Sequence, residues 1–294
     1  MDLFLEVSLV GLAVGGVYAL IALGYVLVYR ATRVINFAHG NIMMVGAYFF
    51  FTFATLLGLP WGIALALTLA AAALVGAGLE RVLLRPLLRR EPTVAIMATF
   101  GLAFALHGLV QIIWGGQDFF LPSIFPDAPI VIDTAQGGMY LPANIGYGAL
   151  VALAAIGVLL VLLRYTRVGL ALRAVASDQV AASGVGINVP ATINLTWASA
   201  AASAALAGVV VGSITTLNPT MGMLGLAVLG VVILGGLDSP IGAIIAGLIV
   251  GWLQALAGFY LSGAYRDVVP YVVLLIILLL RPHGLFGTPR VERL

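Results

Sequence analysis

The sequence predicts an all-α, polytopic membrane protein of about eight or nine transmembrane helices, forming one domain over residues 1–294. Three observations carry that expectation. Hydrophobic residues make up 63% of the chain and charged residues 8%, where an ordinary soluble domain carries roughly 25% charged residues. Mean hydropathy is +1.18, and no soluble packing of a chain this size hides so much apolar surface from water. Apolar runs near the length of a bilayer crossing recur from end to end, and the basic residues between them fall on one side.

A crossing needs about 20 mainly apolar residues. Such runs fall at Leu3–Tyr29, Phe37–Leu57, Trp61–Glu80, Val94–Trp114, Ile145–Leu163, Ala191–Ser213, Met223–Leu237, Ile241–Leu261 and Val268–Leu280. Met223–Leu237 and the last run are short, so either reads as a broken or re-entrant helix as readily as a full crossing. Asp2 and Glu6 stand where a cleavable leader carries positive charge, so the first run is expected to stay as a span.

Charge placement orients the chain. With the N-terminus outside, Arg30, Arg33, Arg81, Arg85, Arg89, Arg90, Arg164, Arg167, Arg173, Arg281, Arg290 and Arg293 lie inside, and only Arg266 lies outside. That asymmetry is the one expected of cytoplasmic segments, and the opposite orientation inverts it. The C-terminus is then inside. The longest outer connection, Gly115–Ala143, carries Asp118, Asp127 and Asp133, prolines and aromatics, and no Arg. It reads either as a cap or docking surface at the outer mouth, or as a plain connection between helices.

Several chemistries are excluded by what is missing. All thirteen basic residues are Arg, so a P-loop of the GxxxxGK[ST] type cannot form and the chain cannot hydrolyse ATP by that route. Schiff-base chemistry falls with the same absence. With no Cys there is no disulfide or thiolate. His39, His107 and His283 have no metal-ligand spacing, and neither HExxH nor GxSxG occurs. No ionisable side chain falls near the middle of a span except His107, which reads as a packing residue rather than a relay because no acidic partner shares a span. The small positive balance says nothing of nucleic acid. An enzyme is poorly supported; a transport path or a stand-alone facilitator fits better.

Two polar breaks interrupt the spans. Ile35-Asn36-Phe37-Ala38-His39-Gly40-Asn41 lies at the inner start of the second run, and Leu217-Asn218-Pro219-Thr220-Met221-Gly222 at the outer start of the seventh. Each follows an apolar span and precedes one bearing Met and Gly, as INFAHGNIMMVGAY and LNPTMGMLGLAVLG. On the orientation above they sit at opposite faces, the pattern of an inverted repeat with discontinuous helices around a solute path. Asn36 and Asn218 serve as helix caps on either reading. Asn36, Phe37, His39, Gly40, Asn41, Asn218, Pro219 and Thr220 are the candidate path residues. Glycine pairs at Gly11/Gly15, Gly208/Gly212 and Gly247/Gly251 stand one helical turn apart and permit close helix approach.

The stretch Arg164–Val189 differs from everything around it, carrying Arg164, Arg167, Arg173 and Asp178 among Ala and Gly. Read as an inner helix, Leu172, Val175 and Ala176 share one side while Arg173 and Ser177 point elsewhere, with Gly184 and Gly186 ending it before Pro190. A small-residue face suits close protein contact; a helix lying in lipid headgroups with Arg173 snorkelling is the other reading.

At this point the chain resembles a known family, the permease subunits of bacterial ATP-binding-cassette importers for branched-chain amino acids, in the LivH-like branch. The resemblance runs through Gly15–Tyr48, Gly169–Val189, Leu217–Gly222, Val232–Gly247 and the RPHGLFG run at Arg281–Gly287. It implies a multi-pass subunit of the bacterial inner membrane, N-terminus periplasmic and C-terminus cytoplasmic, forming half of a translocation path. The implied partners are a second, related permease, two cytosolic ATP-binding subunits that hold ATP and Mg, and a periplasmic binding protein. No cofactor is implied for this chain itself. The resemblance also makes residues 164–189 a coupling segment for the ATPase, with Gly169, Arg173, Asp178, Ala181, Ala182 and Gly184 as contacts. Asp178 stands there in place of the Glu of the wider importer pattern. Related permeases carry urea, short amides or other hydrophobic and aromatic acids, so the resemblance leaves the solute open.

Overall fold

The structure, a computed structural model, describes residues 2–87, 90–126, 128–134, 137–281 and 283–287. Arg89, Asp127, Pro282, Arg290 and Arg293 of the sequence reading lie outside the described residues.

Helices α1 (Asp2–Thr32), α2 (His39–Phe51) and α3 (Trp61–Leu79) follow one another, with α2 running into a π-helical stretch, Thr52–Leu56. A second π-helical stretch, Glu80–Leu84, leads from α3 into α4 (Arg85–Leu87), and α5 (Pro92–Trp114) comes next. A hairpin of β1 (Ile130–Thr134) and β2 (Gly137–Leu141) then precedes α6 (Ala143–Tyr165), α7 (Arg167–Ser177), α8 (Gln179–Gly184) and α9 (Val189–Ile214). A 3-10 turn, Pro219–Met223, opens α10 (Leu224–Gly235), and α11 (Pro240–Tyr260) and α12 (Gly263–Leu280) complete the chain.

Among the described residues seven helices are long and apolar enough to cross a membrane: Leu3–Thr32, Trp61–Leu87, Thr93–Trp114, Ala143–Tyr165, Val189–Ile214, Pro240–Tyr260 and Gly263–Leu280. Each coincides with an expected span, and the last is longer than Val268–Leu280 suggested. The two remaining expected spans, Phe37–Leu57 and Met223–Leu237, contain the short helices. At about 1.5 Å per residue, neither α2 nor α10 crosses a bilayer of about 30 Å as an α-helix alone. The hairpin departs from a wholly helical fold. It is antiparallel, with Ile130 opposite Leu141 and Val131 opposite Tyr140, and its first strand is the β-branched run Ile130-Val131-Ile132 in the connection between α5 and α6.

Small residues set the spacing of the bundle. α1 and α11 run antiparallel in close contact: a Cβ on Gly11 would meet Ala255, and one on Gly15 would stand 2.8 Å from the Gly247 carbonyl oxygen. Gly251 in turn abuts the Gly15 backbone. Two of the sequence's glycine pairs therefore face each other. Gly208 of α9 abuts the backbone of Met43 in α2, and Gly76 of α3 abuts Trp197 and Ala201 of α9. Leu20, Ile21 and Leu23 of α1 are fully buried beside Met43, Met44 and Tyr48 of α2. Towards the Arg30 end, Leu27, Val28 and Ala31 form a second cluster with Leu172, Val175, Ala182 and Trp197.

Candidate translocation seam and coupling segment

The chain leaves α1 through Arg33, whose φ of 58° is left-handed, a conformation a residue with a Cβ enters rarely. This reverses the backbone and carries it back along α1. Asn36 is 2% exposed; its Oδ1 accepts from the Ala38 amide at 3.1 Å, and the His39 amide donates to the Asn36 carbonyl at 3.2 Å. The Phe37 amide donates to Thr99 Oγ1 at 3.2 Å, and the Phe37 ring stacks on Phe100 with centroids 3.9 Å apart. Helix α2 therefore starts well inside the bundle. Its first residue, His39, lies against Gly24 and its ring is 4.4 Å from that of Tyr25.

The second break begins where Leu217 exchanges two backbone hydrogen bonds of 2.9 Å with Phe119. Asn218 is extended (φ −144°, ψ 162°) and Pro219 opens the 3-10 turn, where its missing N–H costs nothing. Thr220 Oγ1 donates to Asn218 Oδ1 at 2.8 Å. His107 Nδ1 lies 3.0 Å from the Pro219 carbonyl oxygen and Nε2 lies 3.1 Å from Gln111 Nε2. A ring protonated at Nδ1 donates to the carbonyl and accepts from the amide, which satisfies both contacts.

The two breaks meet. A Cβ on Gly40 would overlap the Gly222 carbonyl oxygen and the Gly225 backbone, and one on Gly222 would overlap Asn41 Oδ1. The Tyr25 hydroxyl donates to the Gly225 carbonyl at 2.8 Å. This corrects the placement of the breaks at opposite faces: each is reached from its own end of the bundle, but the turn at Arg33 carries the first one inward until Gly40 touches the second. Asn36, His39, Gly40, Asn41, Pro219 and their neighbours Phe37 and Asn218 are thus brought into one seam, with Thr220 exposed at its edge. Neither helix start is capped by its preceding side chain. Asn36 Nδ2 and His39 Nε2 are buried without a hydrogen-bond partner. Tyr25, Thr99 and Phe100 belong to the seam and were not singled out from sequence, because each looks like ordinary span content.

Glu80 is a second omission. It reads as the end of a span, yet it is fully buried. Arg85 Nη2 donates to Glu80 Oε2 at 2.7 Å and Arg85 Nε to Oε1 at 3.1 Å, while Asn194 Nδ2 donates to Oε2 at 2.6 Å. Arg85 also reaches the Pro190 carbonyl at 3.4 Å. This clamp joins the end of α3 to the start of α9.

The segment 164–189 is two helices. Thr166 caps α7, accepting from the Gly169 amide at 3.1 Å. Asp178 is extended (φ −155°, ψ 115°) and ends α7, so the break falls there and not first at Gly184. Its Oδ1 accepts from the Val180 and Ala181 amides at 2.8 and 3.0 Å, capping α8. Leu172, Val175 and Ala176 face inward, as their spacing predicted. Arg173 Nη1 donates to the Leu163 and Arg164 carbonyls at 3.0 and 3.2 Å, binding the last turn of α6, where cations are favoured. Arg33 Nη2 donates to the Ala176 carbonyl at 2.7 Å and Gln179 Nε2 to the Ala31 carbonyl at 3.0 Å. Of the expected contact residues, Arg173, Asp178, Ala181 and Gly184 are exposed, whereas Gly169 and Ala182 are buried in the chain's own packing. Those two pack within the chain itself. Val180 and Val185, at 82% and 79% exposed, are the most exposed large apolar residues of this segment.

Residues 8–278 match the family described as branched-chain amino acid transport system / permease component. The chain is similar to the high-affinity branched-chain amino acid transport system permease protein LivH of Salmonella typhimurium, 36% identical over 99% of this chain and 97% of that one. It is also similar to the corresponding permease protein BraD of Pseudomonas aeruginosa, 33% identical over 99% of this chain and 98% of that one. These relatives are transport permeases. With end-to-end identity above 30% and a match across almost the whole length, the chain belongs to the family of branched-chain amino acid transport permease components.

Proposed function

We propose that this chain is the permease subunit of an ATP-driven importer in a bacterial inner membrane and forms half of the path for branched-chain amino acids. The meeting of the two breaks at Gly40, Gly222 and Gly225 carries this reading. Two short helices that start beside each other inside an apolar bundle form the discontinuous-helix arrangement found around transporter substrates. The Asn and Thr groups there can hydrogen-bond a polar head group, and Phe37, Met43, Met44, Met221 and Met223 supply apolar surroundings for a side chain.

On this reading the breaks belong to two inverted halves, the Arg30 end faces the cytosol, and the N-terminus is periplasmic. A related second permease, two ATP-binding subunits and a periplasmic binding protein complete the assembly. Movement of the ATPases enters through α7 and α8. The bonds from Arg33 and Gln179 tie those helices to the end of α1, and Tyr25, two turns along α1, holds the starts of both short helices. α1 is the lever between the coupling segment and the path.

The test is leucine uptake into liposomes by the complex reconstituted with its ATPases and binding protein. Asn41→Leu in the seam is expected to abolish uptake while the complex still assembles and hydrolyses ATP. Full uptake by that variant removes the path from the seam, and uphill transport by the purified chain alone removes the ATP-driven role.

A further inference from the structure

We propose that the cavity between the start of α1 and the α11–α12 hairpin binds a zwitterion with an apolar tail. The cavity has a volume of about 540 Å³ and is lined by Glu6, Gln254 and Arg266 among apolar walls that include Val10, Ile214 and Phe259. That volume is in the range of small-molecule sites. None of the seam residues lines it, so it is a separate place.

A carboxylate and a guanidinium share this cavity without pairing. Among the described residues the ion pair within 4.0 Å is that of Arg85 and Glu80. Two opposite charges lining one cavity without pairing match the ammonium and the anionic group of one ligand, each through a charge-assisted contact, with Arg266 also beside the Tyr18 hydroxyl. The third group points the same way. Gln254 is 6% exposed; its Nε2 donates to the Arg266 carbonyl at 3.1 Å, while Oε1 is buried with no partner. A buried amide oxygen without a partner calls for an N–H donor, and an ammonium in the adjoining cavity supplies one once the Gln254 side chain turns towards it. Glu6 and Val10 also line a second cavity of about 740 Å³, whose other lining residues include Leu121–Pro126.

Two sources supply this chemistry: a free apolar amino acid, an assignment that rests on the proposed function, and an aminophospholipid, which does not. The full chain in nanodiscs of phosphatidylglycerol is titrated with labelled leucine, and in parallel discs containing phosphatidylethanolamine the retained lipid is counted by native mass spectrometry. Wild type is expected to hold one of the two, and Glu6→Gln and Gln254→Leu each to weaken that capture at least tenfold with unfolding temperature unchanged. Glu6→Gln conserves volume, so its loss of capture is not a folding failure. Capture of neither zwitterion by wild type, or capture by both variants equal to wild type, overturns the site. Asn41→Leu separates this site from the seam: retained capture in that variant supports the proposal, and capture lost in it but kept in Glu6→Gln overturns it.

Discussion

The hydroxyl of Tyr25 donates to the carbonyl of Gly225 across 2.8 Å, two hundred residues along the chain, and the same ring packs 4.4 Å from His39. One side chain of α1 therefore touches the starts of both short helices. Tyr25 is 3% exposed, so no water replaces the bond easily when it is lost. Tyr25→Phe keeps the ring contact and removes one of two bonds to the Gly225 carbonyl, which stays an acceptor within α10, at a cost of about 0.5–1.5 kcal/mol. A lower unfolding temperature in detergent, together with reduced ATP-driven uptake, is expected. Uptake that holds at wild-type level despite the lost stability confines Tyr25 to packing.

The glycines of the seam are expected to be intolerant in a way that exposed ones are not. Gly40→Ala places a methyl group into the Gly222 carbonyl and the Gly225 backbone. Backbone cannot rotate away as a side chain does, so overpacking of about 1–3 kcal/mol or more follows. Gly78→Ala is the control: it faces open space on α3 and gains helix propensity. Thermal unfolding of the two detergent-solubilised variants is expected to move in opposite directions.

The spans were legible because length and hydropathy decide them before any tertiary contact does. Gly11/Gly15 and Gly247/Gly251 were legible as close-approach sites, but their choice of each other is a tertiary fact. The shortness of α10 left a trace in the brief run after Asn218. That of α2 did not, since its apolar run continues unbroken through the π-helical Thr52–Leu56. The depth of the first break depends on a left-handed Arg33, and nothing in an Arg announces that conformation. Glu80 was read as a span end because its partners come from a five-residue offset, natural to a π-helical turn, and from Asn194, 114 residues away. The resemblance makes Asp178 a partner contact; that it also caps α8 depends on an extended backbone that no residue type announces.

Breaking the Glu80 clamp is expected to cost more than removing it. Arg85→Ala leaves a fully buried carboxylate with Asn194 alone, and a buried charge that loses its partner destabilises the fold. The Arg85 side chain is 37% exposed, so solvent screens part of the pair and moderates the loss. Replacing both charges, with Glu80→Leu and Arg85→Met together, is expected to recover most of it. A double-mutant cycle on unfolding temperature measures the coupling, and additive losses would show that the pair does not act as a unit.

Asp178 distinguishes capping from direct contact with a partner. Its carboxylate accepts from Val180 and Ala181 at the start of α8, and losing such a cap costs about 1 kcal/mol. Asp178→Ala is expected to loosen α8 and lower ATP-driven uptake several-fold, with more ATP hydrolysed per solute moved. Asp178→Asn keeps an oxygen acceptor at the same place and is expected to restore most of the uptake. If the negative charge is what a partner reads, Asn fails as badly as Ala. The comparison of the two variants in the reconstituted complex therefore decides whether Asp178 shapes the lever or touches what drives it.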